Sequence, residues 1–204
     1  LLIRWIEVGI FSPLCRNHSA YGTRRQEPWT FDQETIDIYR KFVNLRYRLI
    51  PYFYDLFYKH QKNGLPIIRP LILEFENDSK CECINDEFMV GESILVAPQV
   101  KNGAFNRVVY LPKGKWIDFN TNKLYQGGQS YIYDTPLDVC PIFVKYNSII
   151  PTYTSTNIDI PKEITFLCYG EKALYSHYQD NGIDFSYENG EYNLYDVAFD
   201  QDFN

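Results

Sequence analysis

Phe11-Ser12-Pro13-Leu14-Cys15-Arg16-Asn17-His18-Ser19 places several polar, chemically capable side chains at the end of a short apolar run. Residues 11–16 are too short for a helix after Pro13, whose ring removes a backbone donor, and they read as a strand. Before them, Leu2, Ile3, Trp5, Ile6 and Ile10 fall on one face of a helix. After them a polar loop, Gly22-Thr23-Arg24-Arg25-Gln26-Glu27-Pro28, leads into a long amphipathic segment. Helix, short strand, polar strand end, loop and helix form the pattern of an α/β barrel, where ligand-touching groups sit at strand C-terminal ends. On that pattern the Arg16–His18 end faces a pocket and Leu14 faces the core. Alternation along a strand turns Arg16 and His18 one way and Asn17 the other.

The following helix is the clearest element of the sequence. Ile38, Phe42, Leu45, Leu49, Phe53 and Leu56 recur at three- and four-residue steps, the spacing of one buried helical face. The spacing predicts a helix from about Thr35 to Asn63, opened by a capping box at Thr30-Phe31-Asp32-Gln33. Pro51 predicts a kink near Val43–Ile50, and Gly64 followed by Pro66 ends the helix.

Beyond Gly64 the pattern changes to strands. Leu65–Phe75 and Phe88–Pro98 are extended apolar runs, and shorter candidates follow at Arg107–Leu111, Lys115–Phe119, Gln129–Tyr133 and Ile142–Tyr146. Turn residues separate them at roughly ten-residue spacing, the mark of an antiparallel sandwich. A Thr/Ser/Asn/Pro stretch at Pro151–Pro161 marks a second boundary. Past it, Ile164–Tyr169, Ala173–Tyr178, Asp184–Tyr187 and Glu191–Phe199 read as strands, with Asp180-Asn181-Gly182 and Asn189-Gly190 as hairpin turns. The expected division is 1–64, an α/β-barrel segment; 65–150, a β-sandwich; and 151–204, a smaller β unit. The fold class is mixed, predominantly β, and no internal repeat is present.

Composition narrows the function classes. The formal charge of −6 is spread thinly along 204 residues, whereas nucleic-acid binding needs a clustered basic face. No run approaches the roughly 18 apolar residues of a membrane span. Five cysteines without framework or zinc spacing read as free thiols in a reducing compartment, which slightly favours the cytoplasm. Tyrosine (18) and phenylalanine (14) are abundant; strand packing and sugar stacking both account for them, and composition does not separate the two.

Several stretches carry a family resemblance. Arg4-Trp5-Ile6-Glu7-Val8-Gly9-Ile10-Phe11-Ser12-Pro13, Arg16-Asn17-His18-Ser19 and Gln26-Glu27-Pro28-Trp29 resemble the end of the catalytic barrel in glycoside hydrolase family 31, mostly retaining α-glucosidases and α-xylosidases. The likeness continues through Arg46-Tyr47-Arg48-Leu49-Ile50-Pro51-Tyr52, Gly91-Glu92-Ser93-Ile94-Leu95-Val96-Ala97-Pro98 and Tyr178-Gln179-Asp180-Asn181-Gly182. It implies that residues 1–64 are the end of a (β/α)8 barrel, 65–150 a proximal β-sandwich and 151–204 the start of a distal β domain, in a glycoside hydrolase whose two catalytic aspartates lie before Leu1. No catalytic residue is therefore expected within residues 1–204, and this span alone is expected to be inactive. It also implies that His18 hydrogen-bonds the sugar at the cleavage site. The implied partner is an oligosaccharide or glycoside, with no cofactor, no metal, no nucleic acid and no membrane.

Each candidate has a plainer alternative. A neutral imidazole offers one donor and one acceptor, suited to sugar hydroxyls; the residues alone favour a His18 satisfied by loop carbonyls, and the resemblance favours the sugar contact. Arg16 fits an ordering ion pair with a carboxylate as well as a buried structural one. Trp29 suits a stacking platform or packing over the barrel rim. Glu27 has no preceding strand to hold it and is not a catalytic carboxylate. Asp180-Asn181-Gly182-Ile183-Asp184 lacks the ligand order of a calcium loop and reads as a turn. His60 and His177 have no Cys or carboxylate at ligand spacing. Set against the enzyme is a non-catalytic carbohydrate-binding or structural β-sandwich module, which would have no need of residues 1–64.

Overall fold

The computed structural model describes residues 1–157 and 163–201. It divides into two units, Leu1–Tyr47 with Ile68–Lys145, and Arg48–Ile67 with Tyr146–Asn204. The expected boundary at Pro151–Pro161 falls partly outside the described residues, because only 151–157 of it are described.

The first unit opens with α1 (Leu2–Gly9) and α2 (Gln33–Arg48). Ile3, Ile6 and Ile10 are buried as their spacing predicts, but Trp5 is 66% exposed. Asp32 is the residue that caps α2, its Oδ1 accepting the Thr35 N–H at 2.8 Å. The expected Thr30 box does not form, since the Thr30 hydroxyl donates to the Glu27 carbonyl. An aspartate directly before the first turn satisfies an orphan N–H without the longer reach that Thr30 would need.

The sandwich of this unit has a six-stranded sheet in the order β1-β2-β3-β8-β5-β6 and a separate β4–β7 pair. The strands are β1 (Ile68–Pro70), β2 (Phe88–Val90), β3 (Ile94–Val96), β4 (Asn106–Leu111), β5 (Lys115–Asp118), β6 (Leu124–Gln126), β7 (Gln129–Asp134) and β8 (Ile142–Lys145). Every pairing is antiparallel, with Leu95 opposite Phe143 and Ile117 opposite Val144. The expected extended run at Leu65–Phe75 holds only β1; Leu71–Glu74 turns as a short helix, α4, whose Leu71 is buried. Met89, Leu95, Val109, Leu111, Trp116 and Phe143 form one core shared by the two sheets. Burying side chains of this size contributes about 1.5–3 kcal/mol each. Tyr125 and Tyr133 add edge-on contacts to Phe143, so part of the aromatic excess serves sheet packing.

The second unit contains α3 (Ile50–Asn63) and strands β9 (Ser148–Tyr153), β10 (Ile164–Tyr169), β11 (Lys172–Gln179) and β12 (Asn193–Asp200). The single helix expected from Thr35 to Asn63 is interrupted at Leu49 (φ −82°, ψ 0°), within the segment where Pro51 predicts a kink. Gly64 closes α3 in the left-handed conformation, φ +74°. β9 pairs with β10 and β11 with β12, both antiparallel, and α3 lies against β9 and β11. The strand expected at Asp184–Tyr187 is absent; Ser186–Asn189 forms a 3₁₀ turn in the long β11–β12 connection. Local side-chain bonds win there: Asn181 Nδ2 donates to Asp184 Oδ1 at 2.9 Å, and Asp184 Oδ1 accepts the Ser186 N–H.

Candidate functional site

The segment carrying His18 leaves α1 through a tight turn. Phe11 and Ser12 donate their N–H groups to the Val8 and Gly9 carbonyls at 3.1 and 3.0 Å. Phe11 is fully buried, with its ring edge-on to Phe88 at 6.3 Å. Arg46 on α2 then grips the turn. Its Nη1 donates to the carbonyls of Ile10 (2.6 Å) and Ser12 (2.7 Å), and its Nη2 to that of Pro13 (3.0 Å). Farther along, Asn17 Nδ2 donates to the Gln26 carbonyl at 2.9 Å and draws the loop together.

The expected strand at residues 11–16 does not form; these residues are turn and irregular chain. A barrel strand exists through ladder bonds to its neighbours, and no described segment pairs with this one. The alternation argument lapses with it. Leu14, expected to face the core, is 81% exposed. Arg16, Asn17 and His18 are all exposed. An open groove beside them is lined by Asn17, Ser19, Thr23, Arg25, Gln26 and Glu27.

The rim of this groove is polar. Arg25 and Glu27 pair at 3.3 Å. The Glu27 carboxyl is held below its ordinary range by its own backbone N–H and by Arg25. Trp29, on a 3₁₀ turn at Pro28–Thr30, is 68% exposed, so its ring is not packed away. Arg24 lies over the Phe31 ring at 5.3 Å. Of the expected residues, His18 and Trp29 present free side-chain surface, while Asn17 and Glu27 contribute to the groove.

A second cluster lies in the second unit, and sequence spacing gave no sign of it. Asp55 on α3 is 1% exposed. Its Oδ2 lies 2.9 Å from His177 Nδ1 and accepts the Tyr175 hydroxyl at 2.7 Å, while its Oδ1 accepts the Tyr178 N–H at 2.8 Å. His177 therefore has a carboxylate partner 122 residues away. Close by, Asp180 Oδ1 accepts the Gly182 N–H and Tyr54 hydroxyl, and the Tyr178 hydroxyl donates to Oδ2. Burial pushes the Asp180 carboxyl up, but these donors outweigh it and hold it low. Residues 180–184 are thus a side-chain-bonded turn, as read. Among the described residues, no group of three or more His, Cys, Asp and Glu side chains could hold a metal ion. Among the described residues, no helix is long and apolar enough to cross a membrane.

Two models of one family match the chain in succession. The "Glycosyl hydrolases family 31 TIM-barrel domain" covers residues 1–56, and the "Glycosyl hydrolase family 31 C-terminal domain" covers residues 64–150. The chain belongs to glycoside hydrolase family 31. Among family 31 relatives, alpha-glucosidase 2 of Bacillus thermoamyloliquefaciens is 40% identical over 197 residues, covering 94% of this chain and 25% of the relative. The alpha-xylosidase of Saccharolobus solfataricus is 31% identical over 208 residues, covering 99% and 28%. A solved family 31 dextranase of Flavobacterium johnsoniae, in complex with isomaltotriose, superimposes with a TM-score of 0.90 at 38% identity, covering 96% of this chain and 25% of that one. The family 31 alpha-xylosidase of Xanthomonas citri gives 0.89 at 33% identity, covering 98% and 22%. The chain spans about a quarter of the length of these proteins. The family's barrel model takes in α1, the His18 segment and α2, and its C-terminal model takes in the sandwich.

Proposed function

We propose that residues 1–204 form the C-terminal part of a retaining α-glycosidase that hydrolyses terminal α-linked sugars of oligosaccharides. The observation that carries this reading is the succession of the two family models along one chain, with Arg16-Asn17-His18 inside the barrel span. The α-glucosidase and α-xylosidase relatives, and the dextranase bound to isomaltotriose, support a carbohydrate substrate. The proposed division is 1–64, barrel end; 65–150, sandwich; and 151–204, the start of a distal β domain.

Retaining hydrolysis uses two carboxyls about 5–5.5 Å apart, a nucleophile and an acid/base, around an oxocarbenium-like transition state. On this reading neither carboxyl is among residues 1–204. His18 contributes a sugar contact, one imidazole nitrogen donating to a hydroxyl and the other accepting. A contact that tightens as the ring flattens raises kcat rather than affinity alone. The sandwich serves as a brace for the barrel, its core being closed and aromatic-packed.

The test is stereochemical. The whole natural protein containing residues 1–204 is given an aryl α-glucoside, and the released sugar is followed by proton NMR before mutarotation. Release of the α-anomer first is expected. The β-anomer first, or no release from any α-glycoside, would sink the proposal.

A further inference from the structure

We propose that Arg46 is a positioning residue for His18, fixing through backbone carbonyls the turn from which the His18 loop departs. The inference rests on the sugar-binding reading of His18 given above. Three carbonyl oxygens, those of Ile10, Ser12 and Pro13, converge on one guanidinium at 2.6, 2.7 and 3.0 Å. A planar fork with five donors can serve three divergent acceptors at once, and it stays charged at any working pH. A lysine ammonium is a compact point charge and cannot span the same set.

The clamp is anchored on the helix rather than the loop. Arg46 sits near the end of α2, which is capped at its start by Asp32 and buries Ile38 and Phe42. Residues 14–16 alone separate the last clamped carbonyl, Pro13, from Asn17. There the Asn17 bond to the Gln26 carbonyl makes a second tie. His18 follows directly. Its side chain is open to solvent, so its position is set by backbone held at these two points and not by packing of its own ring. Misplacing a contact group by about 1 Å costs on the order of 100-fold in rate, which makes a distant clamp kinetically visible.

The experiment is a double-mutant cycle in the whole natural protein. Arg46→Lys, Arg46→Gln, His18→Ala and the paired variants are compared for kcat and KM on an aryl α-glucoside. Amide hydrogen exchange is followed in parallel over residues 10–19. Both Arg46 variants are expected to speed exchange in 10–19 while leaving α2 and the sandwich protected. They are expected to lower kcat/KM by about 10- to 100-fold. In the His18→Ala background, Arg46→Lys should add less than about 3-fold, because the two residues act as one unit. Unchanged exchange in 10–19 overturns the clamp. Faster exchange with fully multiplicative rate losses overturns the coupling to His18. Wild-type rates for His18→Ala would instead overturn the sugar-contact reading, a failure distinct from the first two.

Discussion

His177 Nδ1 on β11 lies 2.9 Å from Asp55 Oδ2 on α3, and that same oxygen accepts the Tyr175 hydroxyl at 2.7 Å. With the Tyr178 N–H on Oδ1, three buried donors depend on one carboxylate. Removing the acceptor leaves all three in a nearly water-free site, each losing its partner and keeping its desolvation cost. Asp55→Ala is expected to destabilise the second unit by about 3–5 kcal/mol. Asp55→Asn, which keeps one acceptor oxygen, should cost less. Urea unfolding with a tyrosine fluorescence readout checks it, and a loss under about 1 kcal/mol for Ala would contradict the network's role.

Glu87 gives a pH-dependent prediction in the first unit. Burial pushes its carboxyl from the ordinary 4.5 up to about 7, against the Tyr110 N–H and Arg107, which pull it down. Its Oε1 accepts the Tyr110 N–H at 2.8 Å, and its Oε2 is buried without a partner. A raised folded-state pKa means the native chain holds a proton that the unfolded chain has released. Stability from this group is thus complete below about pH 4.5 and is lost as pH rises towards 7, by up to about 3 kcal/mol. Glu87→Gln should flatten that slope between pH 4.5 and 7.5 in denaturant titrations. Identical slopes for the two proteins would contradict it.

The hairpin around β5 and β6 is predicted to be intolerant at one glycine. A Cβ on Gly127 would lie 1.9 Å from the Pro112 carbonyl oxygen and 2.8 Å from that of Gly114. Pro112 O also accepts the indole N–H of the fully buried Trp116 at 2.8 Å. Gly127→Ala must therefore move backbone that holds the core tryptophan. A loss of about 2–4 kcal/mol is expected by thermal melting. A melting temperature within a degree of the unaltered protein would show that the turn gives way freely.

What the sequence revealed and concealed follows physical lines. The α3 stripe, the Gly64 stop and strands such as Arg107–Leu111 were legible because periodicity and turn chemistry are local. The β6 strand is not legible because Leu124-Tyr125-Gln126 is three residues long at a sheet edge, and one inward Tyr125 between two exposed residues is too little for a period. In sequence Pro151 reads as punctuation, yet it sits within β9, opposite Phe166. The strand expected at residues 11–16 required partners that a local pattern cannot supply. His18 and its neighbours stood out as a polar strand-end motif, but the clamp from Arg46 lies 33–36 residues away and the Asp55–His177 pair 122. Such pairs have no sequence period, so only the fold brings them together.

His18 remains the residue on which the functional account turns. The most direct measurement is kcat/KM of the whole natural protein and its His18→Ala variant on an aryl α-glucoside, with the melting temperature of each. A fall of at least about 100-fold is expected, carried mainly by kcat, with melting unchanged because the side chain is solvent-exposed. A variant with the rate of the unaltered protein, or one that loses rate only in proportion to lost folded protein, would contradict it.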